Sequence, residues 1–261
     1  MSTTAPALAN YDSLLELIRD RTSVRKLKPD PVPDEYIEKI LEAGRWAMSG
    51  ANGQPWEFLV VKDPETKKQL FHTFRETQDF TNWMEQMRVP ELRHPSHQML
   101  DEANLIAHRN KRGWAEAPFL IVLLGDGRRQ WATIAGAHTY GIPQQTHFSD
   151  GLANASMLMH LAGASLGLGS QHVTIQVEQP LKNILGVPDL LRCVLIMPFG
   201  WPDTPPMSGS RRPLEDMVHH EHYDMKKYMS NEDVIKYLYA LRGKTIPIYR
   251  NSYTGNADKV D

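Results

Sequence analysis

The chain has 261 residues, 41% of them hydrophobic, enough for one large domain or two small ones with a sizeable core. Its 29 Lys and Arg against 31 Asp and Glu leave a formal charge of -2, so no global basic excess is present to hold a nucleic-acid backbone or an anionic membrane, and any anion site must be local. One cysteine, Cys193, excludes an intrachain disulfide and thiolate clusters, and its place in the apolar run CVLIMPF reads as a small buried hydrophobe rather than a reactive thiol.

The opening MSTTAPALANYDS lacks a basic start followed by an apolar core, and no run approaches the length of a bilayer span. Neither export nor insertion is expected, and the cytoplasm is the expected compartment. From Tyr11 to Arg19 the spacing of Leu14, Leu15, Leu17 and Ile18 predicts a short helix that stops before RTSVRKLKPDPVP. A second helix is predicted in DEYIEKILEAGRWAM, with acids in its first turn and apolar Ile37, Ile40 and Leu41. It ends in SGANGQP, whose glycines, asparagine and proline dictate a turn. WEFLVVK follows as a strand and PETKKQLFHTFRE as a helix opened by proline.

Between Thr77 and Pro95 no period is clean; Phe80, Trp83, Met84 and Met87 suit either a mobile lid or a poorly patterned core helix. SHQMLDEANLIAHRNKR resumes helical spacing, and PFLIVLLGD reads as a strand buried on both faces. Residues 126 to 150 read as loop-rich. DGLANASMLMHLAGASLGLG is a long helix of small residues closed by Gly167 and Gly169, followed by a strand at QHVTIQV, a short helix at QPLKNILG and a strand at LRCVLIMPFGWP. Strands alternating with helices imply a buried sheet in an α/β arrangement. A proline-rich stretch then leads to HHEHYDMKKYMS and an amphipathic helix at NEDVIKYLYALRG. With no repeat or linker, one domain with a C-terminal extension is expected.

Arg21, Ser23 and Arg25 alternate, so an extended backbone projects all three to one side. Two guanidinium forks and a hydroxyl form the donor set that a phosphate monoester requires, although such a pair is also what a solvated surface carries. A second basic pair, Arg211 and Arg212, lies far along the chain. Ser49, Asn52 and Gln54 gather a hydroxyl and two amides into one turn; amides donate and accept together and match the mixed edge of a heterocycle such as a flavin pyrimidine, or an ordinary polar turn. The GLGS stretch ends a helix instead of beginning one, so it is no dinucleotide fingerprint; its expected use is to let the backbone pass close to a flat ligand. His219, His220 and His222 sit in a polar tail without a third ligand specified, and no metal site is assigned. No serine-nucleophile signature is present.

RTSVRKLKPDPVP and SGANGQPWEFLVV, separated by a helix, resemble the opening of the nitroreductase family of FMN-dependent oxidoreductases, and the likeness runs on through AGASLGLGSQHVT and LGVPDLLRCVLIMPFGWP to RRPLEDM. The resemblance implies an α+β fold, a central mixed sheet flanked by helices, in an intertwined homodimer with an FMN at each interface site. It implies a single FMN-binding domain over 1–261, with its core at about 11–217 and a C-terminal arm over the partner from 218 onward. It further implies that Arg21, Thr22, Ser23 and Arg25 bind the FMN phosphate and ribityl chain, with Arg25 near N1 and O2. Arg211 would complete the phosphate site. Met48, Ser49, Gly50 and Asn52 match the turn placed against the flavin by the partner subunit, and His172, Val173 and Thr174 match the loop approaching N5 and O4. Met48 stands where the family has proline.

The activity implied is ping-pong transfer from NADH or NADPH through FMN to a nitroaromatic or quinone acceptor, with no side-chain acid or base nominated. A cation near N1 would raise the flavin potential, and a hydrogen bond at N5, from Thr174 or a neighbouring backbone group, would bias one- against two-electron transfer. Three alternatives stand beside it. One is a reductive dehalogenase similar to iodotyrosine deiodinase, with Glu85, Arg88 and Arg93 available to recognise polar groups of a substrate. The second is a flavin-fragmenting enzyme, and the third an FMN-binding protein without turnover.

Overall fold

The computed structural model describes residues 4–88, 113–129, 144–205, 209 and 211–241. The first helix, α1, runs over Thr4–Asp20, and α2 over Asp34–Arg45 buries Ile37 and Ile40, two of the three residues its spacing singled out, while Leu41 is only partly buried. Strand β1 is Trp56–Val61 and α3 is Pro64–Arg88. α3 continues well past the predicted end, so the unpatterned stretch after Thr77 begins as helix; the rest of it, the predicted helix at 96–112 and Arg93 lie outside the described residues. β2, Phe119–Asp126, is buried along its whole length, as a continuous apolar run requires. α4 spans Gln144–Ser165 and therefore starts inside the segment expected to be loop.

The predicted strand at QHVTIQV is reduced to two residues. β3, Gly169–Ser170, and β4, Val173–Thr174, hold one antiparallel register on β5, Leu191–Gly200, from Gly169 opposite Gly200 to Thr174 opposite Leu195. They are two ends of one strand, interrupted at Gln171 and His172. α5, Gln179–Leu185, lies between β4 and β5, and a last helix covers 231–241.

The sheet order is β1-β2-β5-β3, with β4 also on β5, and every ladder among the described residues is antiparallel. The expected mixed character is confined to a single parallel bridge, Ser23 to Ser170. The reason is connectivity: β1, β2 and β5 alternate in direction, and parallel neighbours would need same-side crossovers. Alternate residues of β2 serve opposite faces. Leu120, Val122 and Leu124 pack with Leu70, Phe71, Trp114 and Leu181 beneath α3 and α5, whereas Phe119, Ile121 and Leu123 pack with Ile40, Met159 and Phe199 beneath α2 and α4. Phe119 and Phe199 stack at 5.5 Å in that second layer. The result is an α+β fold in three layers. Among the described residues no helix is long and apolar enough to cross a membrane.

After α1 the chain runs extended along the end of the sheet. Val24 N donates to Ser170 O (2.9 Å), Lys28 N to Trp201 O (2.8 Å) and Asp203 N to Lys26 O (3.0 Å), while Val24 and Leu27 are buried. Gly169 permits this approach: a Cβ there would sit 2.8 Å from Val24 Cβ. The glycine serves the passage of this arm.

Candidate functional site

The 21–25 arm is the first component. The bridge from Ser23 to Ser170 fixes its register against β3, and Arg21 and Thr22, not Ser23 or Arg25, line the adjoining cavity. Arg21 and Thr22 are only partly exposed, and Arg21 Nε and Thr22 Oγ1 are buried without a hydrogen-bond partner among the described residues. The Arg21 pKa is lowered, first by burial and then by the positive charge of Arg211. Two guanidinium groups from opposite ends of the chain thus lie within electrostatic reach, although like charges repel. Arg21 and Thr22 also border a cavity of about 360 Å³ between α1, the end of α4 and β3, with Leu17, Asp20, Gly169 and Ser170 in its wall.

The second component is the interruption between β3 and β4. His172 occupies it, with Val173 buried beside it and Thr174 exposed. Beneath lies His160 of α4, 5% exposed, its ring 6.2 Å from that of His172 and 5.8 Å from that of Phe199. His160 Nδ1 lies 2.8 Å from Ser170 Oγ, while Nε2 is buried without a partner among the described residues. Burial, then the nearby His172 and Arg21, push the His160 pKa down to about 3. Its imidazole is therefore neutral, with one nitrogen donating and the other accepting. Although His172 opens to solvent, desolvation of its ring lowers its pKa as well.

The third component is the turn carrying Met48, Ser49, Gly50, Asn52 and Gln54. Gly50–Asn52 form one 3-10 turn, and Ser49 Oγ accepts from Gln54 N (2.9 Å), closing the loop on itself. Ala51, Asn52 and Gln54 all have left-handed backbone, with φ of 50°, 54° and 47°. Non-glycine residues disfavour that region, so three together mark a conformation imposed by surroundings, as at many functional sites. The turn sits on the middle of α4, where Asn154 Nδ2 donates to Met48 O (3.2 Å), and against the end of β2. Trp46 and Met48, 72% and 78% exposed, flank it. Glu42 holds Trp46 by a bond to Nε1 (2.7 Å) and holds Arg45 through two more.

The structure thus brings Arg21, Thr22, Ser23, Arg25, His172, Val173 and Thr174 to one end of the sheet, with Arg211 close to Arg21. It places the 48–54 turn on different elements, α4 and β2. His160 and Ser170 escaped the sequence reading: a lone histidine in a helix and a serine after glycine carry no spacing signal. In the tail, His219 stacks on Tyr223 at 4.1 Å, and its Nδ1 accepts from Asp224 N. Cys193 is buried, and burial lifts its thiol pKa to about 11, which keeps it protonated and inert.

Comparison with known proteins adds lineage to this geometry. The model of the nitroreductase family matches residues 18–201. The chain is 28% identical over 198 residues to the iodotyrosine deiodinase of Drosophila melanogaster, a match covering 72% of this chain and 62% of that protein, so it spans less than two thirds of that relative's length. Among solved structures, an oxidised iodotyrosine deiodinase bound to FMN and 3-iodo-L-tyrosine superposes with a TM-score of 0.60 at 22% identity, covering 81% of this chain and all of that one (100%). Nitroreductase A of Vibrio parahaemolyticus gives the same TM-score, 0.60, at 21% identity, over 92% of this chain and 85% of that one.

Proposed function

The chain belongs to the nitroreductase family, and from that premise we propose that it is a cytoplasmic FMN-dependent oxidoreductase that uses NADH or NADPH to reduce nitroaromatic or quinone-type acceptors. The observation that carries the reading is the convergence of Arg21 and Arg211. Burial and mutual repulsion both oppose the charge on Arg21, and a phosphate dianion relieves both at once.

The residues present fit FMN. The buried, unpartnered Arg21 Nε asks for an acceptor and Thr22 Oγ1 for either role, which a phosphate ester and a polyhydroxyl chain supply. Arg21, Ser23 and Arg211 would hold the phosphate, Thr22 the ribityl chain, and Arg25 the N1 and O2 edge. Bound FMN would supply the redox chemistry, accepting a hydride equivalent from the nicotinamide and passing electrons to the acceptor. The fixed charge of Arg25 would favour the state with more negative charge at its edge. The exposed edge at His172 and Thr174 would present polar groups to N5 and O4. Neutral His160 would support that edge from below without adding charge.

We further propose a homodimer in which the 48–54 turn completes the partner's site. The exposure of Trp46, Met48 and, in the tail, Leu214, Met225 and Ile235 supports this, because apolar surface of that extent calls for cover. The single domain at about 11–217 with a C-terminal arm belongs to the same proposal. A second reading, reductive dehalogenation of a halophenol, is favoured by the iodotyrosine deiodinases among the relatives.

An anaerobic absorbance spectrum of the purified protein, before and after NADH or NADPH, tests both readings. A flavin band that bleaches and returns on adding a nitroarene or quinone is the expected result. A band that bleaches only with an artificial reductant, and returns on adding a halophenol with halide release, moves the assignment to dehalogenation. A colourless protein that takes up no added FMN overturns both.

A further inference from the structure

The 48–54 turn owes its shape to a group that no motif assigns. We propose that Arg129 is the positioning residue of this turn, acting through the backbone of Gln54 to hold the amides of Asn52 and Gln54 in place. The proposal rests on the reading that this turn faces a flavin.

The near end of the turn is secured by Ser49 and Asn154. The far end is secured by the segment after β2. Asp126 N donates to Pro55 O (2.7 Å), and Gly127–Arg129 then form one 3-10 turn. From it the Arg129 guanidinium reaches back with each of its three nitrogens. Nη1 donates to Gln54 O (3.3 Å), Nη2 to Glu57 Oε1 (2.7 Å), and Nε lies 3.6 Å from Asp126 Oδ2.

Asp126 is 4% exposed. Arg128 grips both its oxygens at 2.8 Å, and its carboxyl is held below the ordinary range by that bond and by Arg129. A buried, ionised carboxylate thus orients the arginine that grips the turn. The backbone joins in: a Cβ at Gly53 would lie 2.6 Å from Arg129 O, so the turn is pressed against the residue that clamps it.

This arrangement explains how three left-handed residues persist within four positions. Ala51, Asn52 and Gln54 each favour another conformation, and the turn opens unless both ends are tied. All three guanidinium nitrogens of Arg129 are engaged by Gln54, Glu57 and Asp126, which suits a residue that acts through the turn. A lysine keeps the charge but loses the planar fork that bonds two carbonyl and carboxylate oxygens at once.

The test uses the full chain as wild type, Arg129→Lys, Arg129→Met, and Arg129→Met with Ala51→Gly. Amide exchange of residues 50–54 in the flavin-free protein and FMN affinity by fluorescence quenching are the readouts. Arg129→Met should speed exchange in the turn and weaken FMN binding about tenfold, with β2 and β5 unaffected, and Arg129→Lys should fall between. Ala51→Gly, which removes one left-handed penalty and no side-chain bond, should recover about threefold to fivefold of the loss.

Exchange within twofold of wild type in Arg129→Met overturns the proposal. So does a loss of affinity that Ala51→Gly leaves untouched, because that would mark a direct ligand contact. If the wild type takes up no FMN, the flavin reading fails, and the exchange arm alone decides the role of Arg129.

Discussion

The arm at 21–25 and the turn at 49–54 are both polar, but they carry opposite defects. The arm has no left-handed backbone, and its buried polar atoms Arg21 Nε and Thr22 Oγ1 lack partners among the described residues, beside a second like charge. The turn has strained backbone and a dense set of ties, from Ser49, Asn154 and Arg129. Electrostatic incompleteness marks a place that a ligand completes, whereas strain under constraint marks a place shaped in advance. On our reading the arm supplies affinity for the cofactor and the turn supplies geometry, so the two should respond differently to substitution.

The largest expected effect comes from acid and acts on the arm's support. His160 titrates near 3 in the folded chain and at the ordinary 6.5 once unfolded. The unfolded state therefore binds the extra proton first, so stability is fully present above 6.5 and is lost as pH falls from there toward 3. The slope reaches about 1.4 kcal/mol per pH unit, several kcal/mol over the window. Denaturant melts between pH 7 and 4 should show it, and His160→Gln should flatten it while keeping a partner for Ser170 Oγ. An unchanged slope in that variant would mean that the arm's foundation is not desolvated as described.

Next comes the clamp itself. Arg21→Ala with Arg211→Ala should weaken FMN binding at least about a hundredfold, near 3 kcal/mol, since each charge-assisted bond contributes about 1.5–3 kcal/mol. The flavin-free protein should remain folded, with a melting temperature close to that of the wild type. A large fall in melting temperature with flavin content intact would reverse the assignment and make the arm structural. On the turn, Ser49→Ala leaves Gln54 N without its acceptor and should cost about 1 kcal/mol of stability in denaturant melts.

Much of the scaffold was legible because local pattern and tertiary role coincide. β2 is apolar at every position that the two core layers need, and Ile37 and Ile40 announce the buried face of α2. The strand at 171–177 was overstated because its apolar alternation says nothing of the arm, which bridges at Ser170 where the ladder on β5 breaks. Arg21, Ser23 and Arg25 were legible as one polar arm, but the approach of Arg211 is a tertiary fact that no local spacing carries. His160, Asp126 and Arg129 were illegible for a related reason. Each is a single polar residue whose meaning comes from a neighbour on another element, and the two arginines after Asp126 read as ordinary loop charge.

The smallest effect separates the two regions most sharply. Ala51 is exposed and left-handed, and its side chain is only a methyl group. Ala51→Gly should stabilise the flavin-free protein by about 0.5–1 kcal/mol, because glycine adopts that backbone without the Cβ clash. Glycine also gains more freedom when unfolded, which offsets part of the benefit and keeps the net change small. The same substitution at Thr22 relieves no left-handed strain, removes the methyl with the hydroxyl and adds freedom to the unfolded chain, so it should destabilise. A melting temperature that rises for Ala51→Gly and falls for Thr22→Gly would establish that strain resides in the turn and not in the arm. Equal falls would mean that the turn's left-handed residues are at ease, and the constraint attributed to Arg129 would lose its purpose.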